Sequence, residues 1–257
     1  MLIPLLVGLA ADAVLVPLSV KRGMLTLPAA LGAAVLLLII LLIGGYAAAV
    51  YMLLIYLVCA LVHRFNKRKK NRHTDGARGL WQVIVNGGAG GLALLLCTVY
   101  AHPALPVVYY AAVAEFFTDT MASDIGTLSQ RMPYDPFRRR PVARGTSGGM
   151  TPLGTLSALL ASILAALLSM GAGLSLGEAA IVGGAAFLGM LCDSALGSLL
   201  QAKYRCPVCG AYTERPTHCD TPAERTSGLS FLNNSAVNLI CTVISALLAA
   251  VAYLCFL

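Results

Sequence analysis

Long apolar runs decide what this chain can become. Stretches of about the 20 residues that a membrane-crossing helix needs recur near 1–20, 25–44, 46–63, 80–100, 104–123, 153–172, 177–202 and 233–257. A water-soluble core has no use for so many, and a mean hydropathy of +0.81 with only 11% charged residues agrees. The expected fold is all-α, a polytopic integral membrane helical bundle of about eight (six to eight) transmembrane helices in a single membrane domain, 1–257. The first run opens at Met1 with no basic stretch before it and no small-residue cleavage site after it, which reads as an uncleaved helix. Pro103 and Pro106 open the run at 104–123 and its far end is polar, so this is the span expected to be irregular.

Charge placement orients such a bundle. All 18 Lys and Arg residues fall in four loops, Lys21–Arg22, Arg64–Arg78, Arg131–Arg144 and Lys203–Arg225. These are alternate connections, so eight spans put all four on one side. The positive-inside rule makes that side cytoplasmic, with both termini outside the cell (inner) membrane. A net charge of +7 held on one face suits an anionic partner at the leaflet, a lipid phosphate or a nucleotide, and no nucleic acid. "HRFNKRKKNRH" (63–73) reads as a solvated, leaflet-contacting run, and Trp81 as an interfacial anchor.

In this topology Asn86, Asp119, Asp193, Asn234 and Asn238 each stand toward the basic end of a span. Glu115 and Asp119 are four residues apart and share a helix face, as do Asp119 and Ser123, and Asn234 and Asn238. A carboxylate at mid-membrane costs about 2.5–3.5 kcal/mol or more, so a group of them points to function. The plainer reading is interhelical hydrogen bonding between small-residue faces such as Gly189, Asp193 and Gly197. Asp12 stands alone in the first run, where that reading suits it best.

After the carboxylates comes "RRRPVARGTSGGMTPLGT" (138–155). Gly145, Gly148 and Gly149 let backbone N–H groups approach an anion. Thr146, Ser147 and Thr151 add hydroxyls, Arg144 adds charge-assisted bonds, and the following helix adds its N-terminal dipole. Neither a P-loop ending nor a strand before a GxGxxG turn is present. The carboxylates upstream could hold the divalent cation that a nucleoside triphosphate brings.

The last basic loop, 203–228, holds "CPVCG" and, further on, "HCD". Cys206, Cys209, His218 and Cys219 have the look of a zinc knuckle, because a two-residue gap lets both thiolates face one tetrahedral ion. Free thiols and a disulfide are the other readings, and adjacent His218 and Cys219 must both reach one ion for the first to hold. The cysteines within spans, Cys59, Cys97, Cys192, Cys241 and Cys255, read as packing residues. His63, His73 and His102 carry no role by spacing.

The ordered motifs "KRGMLT", "GLWQVIVNGG", "FTDTMASDIGTLS", "PVARGTSGGMTPLGT", "LCDSALGSLLQAKYRC" and "SGLSFLNNSAVN" run nearly the full length. Through them the chain resembles the transmembrane protein 19 family, also known as domain of unknown function 92, to which a plant phytyl-phosphate kinase belongs. It departs in "SDIG", where the family more often has Ser-Glu-Ile-Gly, and keeps a carboxylate. The motif order is also loosely similar to that of CTP-dependent dolichol kinases and phosphatidate cytidylyltransferases. The resemblance implies transfer of a phosphoryl group from a nucleoside triphosphate, CTP, to phytyl or another isoprenyl monophosphate. Asp119 and Asp124 would hold Mg²⁺, Asp193 would be a further ligand or orienting group, and Arg144 with residues 145–149 and Thr151 would bind phosphate. Glu115, Asn86, Ser123, Asn234 and Asn238 would line the acceptor site. A cytidylyltransferase using the same pocket, and a transporter or flippase with the carboxylates as ion ligands, are the competing readings.

Overall fold

The computed structural model describes residues 2–69 and 77–257; positions 70–76, which hold His73 and part of the second basic run, lie outside them. Eight α-helices follow in order: α1 (Leu2–Lys21), α2 (Leu27–Ile39), α3 (Gly45–Lys69), α4 (Leu80–Cys97), α5 (Ala104–Gly126), α6 (Pro152–Gly171), α7 (Leu176–Leu199) and α8 (Asn234–Phe256). Their starts follow from local chemistry. Thr26, Thr151, Ser175 and Asn233 each cap the first turn of a helix with a side-chain oxygen, and prolines stand in the first turns of α2 and α6, where no N–H is needed.

Among the described residues six helical stretches are long and apolar enough to cross a membrane, and one of them, Leu27–Asn66, is 40 residues long. That stretch folds back on itself. At 1.5 Å per residue a straight helix would set Ala30 roughly 39 Å from Tyr56, yet Tyr56 packs on the cluster of Leu25, Ala29 and Ala30. The reversal comes at a π-helical turn, Ile40–Gly44, followed by Gly45 at φ +77°, a left-handed conformation that glycine adopts without a Cβ clash. The hairpin lets Leu36 of one arm and Met52 of the other meet Gly87 of α4.

With that hairpin the chain alternates ends eight times. Leu25 pairs with Arg78 across the first two basic loops. Asn66 on α3 donates to the Asp124 carbonyl on α5 (2.9 Å), and Ser198 on α7 donates to Asp135 (2.6 Å), which ties the third and fourth loops to the same end. At the other end His102 stacks edge-on against Tyr253, ring centroids 6.4 Å apart, and Leu257 lies against Gly177. Both termini are therefore at the end remote from the basic loops.

The core helix is α5, which packs against α3, α4, α6, α7 and α8. Every residue from Tyr109 to Thr118 is buried. The irregularity expected at 104–123 is absent: Pro103 is the cap residue and Pro106 sits in the first turn, positions whose N–H groups have no intrahelical partner in any helix. With three carboxylates α5 does not count among the six apolar stretches, and it needs no lipid-facing surface because other helices surround it.

Among the described residues the β-strands lie in the third and fourth basic loops. In the third, β1 (Tyr134–Asp135) pairs antiparallel with β2 (Arg140–Pro141). In the fourth, β3 (Lys203–Arg205) stands between β4 (Tyr212–Thr213) and β7 (Glu224–Ser227), while β5 (Thr217–His218) and β6 (Thr221–Pro222) form a separate hairpin.

Candidate functional site

Three helices turn stripes of fourth residues toward one axis. α5 contributes Glu115 and Asp119, α7 contributes Gly189, Asp193 and Gly197, and α8 contributes Asn234, Asn238 and Thr242. Glu115 is fully buried and deepest. Its carboxylate lies 2.8 Å from the Thr242 hydroxyl, whose single proton is shared between Glu115 and the Asn238 carbonyl, also at 2.8 Å. Gly189 makes the space: a Cβ there would stand 2.6 Å from Glu115 Cγ. One turn nearer the basic end, the Asn238 amide, oriented with its nitrogen toward the surrounding acceptors, donates to Asp193 Oδ2 (3.3 Å) and to the Asn234 carbonyl (2.7 Å). Asp119 and Asp193 are half-buried and close enough to repel each other and Glu115. Among the described residues no Lys or Arg forms an ion pair with any of the three. A stack of this kind concentrates negative charge that a cation would neutralise.

Asp124 does not join the stack. Five residues beyond Asp119, it points about 140° round the helix. There its carboxylate meets His63 Nδ1 at 3.2 Å and accepts from Asn66 at 3.1 Å. His63, given no role by its spacing, is thus the partner that draws Asp124 toward α3. Ser123 is exposed, so the shared face with Asp119 does not carry it into the stack, and Asn86 is half-buried on α4, beside α5 and α8.

The Gly-rich loop packs on the same face of α7. A Cβ on Gly197 would be 3.1 Å from Ser147 Cβ, and Gly148, at φ +84°, lies so close that a Cβ there would meet Ser198 Cβ at 2.5 Å. One loop N–H holds an anion already, since Ser147 N–H donates to Glu214 Oε1 at 2.8 Å, and the Gln201 side chain donates to the other oxygen at 2.8 Å. Lys203 donates to the Ser147 carbonyl at 3.1 Å. Burial, then the Arg138 charge, hold the Lys203 ammonium below its ordinary value against the pull of Glu214 and Asp135. Arg144 is exposed and donates to the Gln130 carbonyl at 2.8 Å. Thr146 closes a turn through its carbonyl to Gly149 N–H (3.0 Å). Thr151 departs from the expectation: buried, it spends its side chain as the α6 cap, accepting from Gly154 N–H and facing the Gly126 carbonyl.

Asp135 was not legible as a site residue. It is buried in the third loop, accepting from Ser198 and from the N–H groups of Phe137 and Arg138, both at 3.0 Å. Burial pushes its carboxyl up, but these bonds and nearby Lys203 outweigh it and hold the group below its ordinary value. In the last loop the four candidate ligands come together, every ligand atom within 4.8 Å of the others. The amides of Cys209 and Val208 point at the Cys206 sulfur and, with His218, pull its thiol down to about 6 against burial.

A polytopic membrane bundle with a buried acidic stack and an anion-holding loop at its basic end defines the class. Residues 10–246 match the family described as integral membrane protein DUF92, and the chain belongs to that family. It is 27% identical to an uncharacterized membrane protein of Methanocaldococcus jannaschii, over 98% of this chain and 95% of that one. It is 25% identical to a protein named PGR of Arabidopsis thaliana, over 78% and 80% of the two chains. An uncharacterized membrane protein of Synechocystis is 27% identical over 60% and 63%. No solved structure matches it.

Proposed function

We propose that the protein is a nucleoside triphosphate-dependent prenyl-phosphate kinase, moving the γ-phosphoryl group of CTP to phytyl or a related isoprenyl monophosphate at the cytoplasmic face of the cell membrane. One observation carries the reading. A single face of α7 links the acidic stack at Gly189 and Asp193 to the anion-holding loop at Gly197, so a cation site and a phosphate site stand two helical turns apart or less. A groove lined by Tyr134, Pro136, Thr155, Leu156, Leu159 and Phe187 opens beside Met150 and Thr151 and offers an apolar surface continuous with the loop. That pairing suits an amphiphile with a phosphate head and a hydrocarbon tail.

The donor set fits a hard divalent cation, since carboxylate and amide oxygens are its preferred ligands. Asp119 and Asp193, with Asn238 beside them, would hold Mg²⁺, which when bound draws charge from the triphosphate. Glu115 and Thr242 orient that layer from below, and Asp124, fixed by His63 and Asn66, flanks it on the α3 side. In the resting loop Glu214 occupies the Ser147 amide; a phosphate oxygen would take its place there, among Gly145, Thr146, Gly148 and Gly149, and exposed Arg144 would reach it once released from Gln130. An oxygen of the acceptor monophosphate forms the new bond to the γ-phosphorus as the bond to the bridging β,γ-oxygen breaks. The nucleoside diphosphate leaves. The acceptor is already ionised, so no general base is required and catalysis rests on positioning and charge stabilisation.

The test uses protein in lipid nanodiscs with Mg²⁺, phytyl monophosphate and CTP labelled at either the α or the γ phosphate. Label from the γ position in the lipid product is the expected result. Label from the α position would make the protein a cytidylyltransferase, and no transfer from well-folded protein to any of several prenyl phosphates would remove the kinase reading.

A further inference from the structure

The fourth basic loop contains a lobe that its own packing does not explain. Its strands are two to four residues long, too short to be stable alone, and from Lys203 to Phe231 only Cys206 is fully buried. Folded chain with so little core needs a cross-link. Two hairpins meet at one point: the Cys206–Gly210 turn, closed by Gly210 N–H to the Cys206 carbonyl at 2.9 Å, and the β5–β6 turn at Cys219 and Asp220.

That second turn shows how adjacent residues reach one centre. Successive strand side chains point to opposite faces, but Cys219 and Asp220 have φ of +52° and +54°. This left-handed pair is the two-residue hairpin geometry that usually takes Asn-Gly, and a cysteine rarely adopts it. It swings the Cys219 sulfur back beside His218, to 3.3 Å from Nδ1, while the Cys209 sulfur lies 3.5 Å from the same nitrogen. A tetrahedral zinc with bonds of about 2.0–2.3 Å has ligand-to-ligand edges of roughly 3.4–3.8 Å, so these separations already approximate its edges.

We propose that Cys206, Cys209, His218 and Cys219 form a closed structural zinc site that holds the lobe together and so keeps Glu214 against the Gly-rich loop. Three thiolates and an imidazole select a borderline-soft tetrahedral ion over Mg²⁺ or Ca²⁺. All four positions come from the protein, which leaves none open for water or substrate, so the role is structural. Glu214 lies between β4 and β5, on the segment that joins the two ligand pairs, and from there it reaches Ser147 and Gln201. Zinc binding displaces the thiol protons and couples the ion to folding of the lobe. The inference is independent of the kinase reading, because it concerns what the lobe binds and not what the protein catalyses.

Elemental analysis of the full chain, purified in detergent with reductant and without added metal, tests it. About one zinc per chain is expected. Cys209→Ser and Cys219→Ser should lose it, Val208→Ala should keep it, and His218→Cys should keep it as a four-thiolate site. Cobalt exchanged into the wild type should give the visible absorption of a tetrahedral thiolate complex. Removing the ion should speed tryptic cutting at exposed Arg205 and Arg225 while the helical content of the bundle stays constant. Well-folded wild type that takes up no stoichiometric zinc even when supplied, Cys209→Ser protein that retains it, or a disulfide among these cysteines in freshly prepared protein would each overturn the proposal.

Discussion

The acidic stack and the cysteine lobe are positioned by opposite means. In the stack, helices of 23, 24 and 23 residues fix Glu115, Asp193 and Asn238 through register and close backbone approach. In the lobe, short strands and one buried side chain leave position to the four proposed ligands, Cys206, Cys209, His218 and Cys219. The difference predicts where each is fragile. The stack should respond to any change of charge or volume, whereas the lobe should tolerate most substitutions except at its ligands and at Glu214.

The largest effect is expected from removing one charge at the centre of the stack. Asp119→Asn keeps the shape of the side chain and takes away a proposed cation ligand, so on the kinase reading turnover should fall by about 10²–10³-fold in protein that still extracts and folds normally. γ-Label transfer measures it, and turnover within about tenfold of wild type would remove the stack from the chemistry. A change of volume should act through packing instead. Gly189→Ala places a methyl 2.6 Å from Glu115 Cγ and 3.1 Å from Ser245 Cβ, and overpacking of this sort costs about 1–3 kcal/mol. Thermal unfolding in detergent should show the loss, and an unchanged midpoint would mean that α7 can slide away from α5.

How much of this was readable beforehand follows the range of the contacts. The spans, the alternate basic loops and the fourth-residue stripes are local patterns, and they survive in the fold except at Ser123, which is exposed and outside the stack. His63 and Asp124 are 61 residues apart, Ser198 and Asp135 are 63 apart, and Ser147 and Glu214 are 67 apart; no periodicity joins such pairs. A local hint existed for the first, since His63 and Asn66 lie three apart on one helix face. Thr151 reads two ways, because a hydroxyl before Pro152 serves a helix cap as readily as a phosphate, and in the fold it is the α6 cap. The Cys219 turn was hidden because left-handed backbone is expected of glycine or asparagine, not cysteine.

Asp135 fixes the third loop to α7 at the margin between the two regions. Its ordinary value is 3.8 and the folded group lies lower. A carboxyl held low contributes stability that is fully present above the unfolded value, and it loses that contribution as pH falls through the folded one. Loop attachment should therefore be unaffected by pH above about 4 and weaken below it. Hydrogen exchange at the Phe137 and Arg138 amides reads this directly. Asp135→Asn should speed exchange near neutral pH and abolish the acid dependence, and an acid dependence that persists in the variant would assign it to another group.

The smallest expected effect lies where the two regions touch. Glu214 accepts from Ser147 N–H with one oxygen and from Gln201 with the other, so this carboxylate, with Lys203 on the Ser147 carbonyl, links the lobe to the loop beside the stack. Glu214→Gln can still accept from Ser147, but its amide nitrogen faces the Gln201 amide nitrogen, donor against donor. One hydrogen bond is lost, worth about 0.5–1.5 kcal/mol, which corresponds to Ser147 amide exchange roughly two- to tenfold faster. If the zinc keeps the lobe folded, its removal should speed exchange at Ser147 by at least as much as Glu214→Gln does, and combining the two should add little because both break the same link. Additive effects would mean that the lobe also steadies the loop by a route other than Glu214, such as Lys203 on the Ser147 carbonyl, and the two regions would then be coupled through more than this carboxylate.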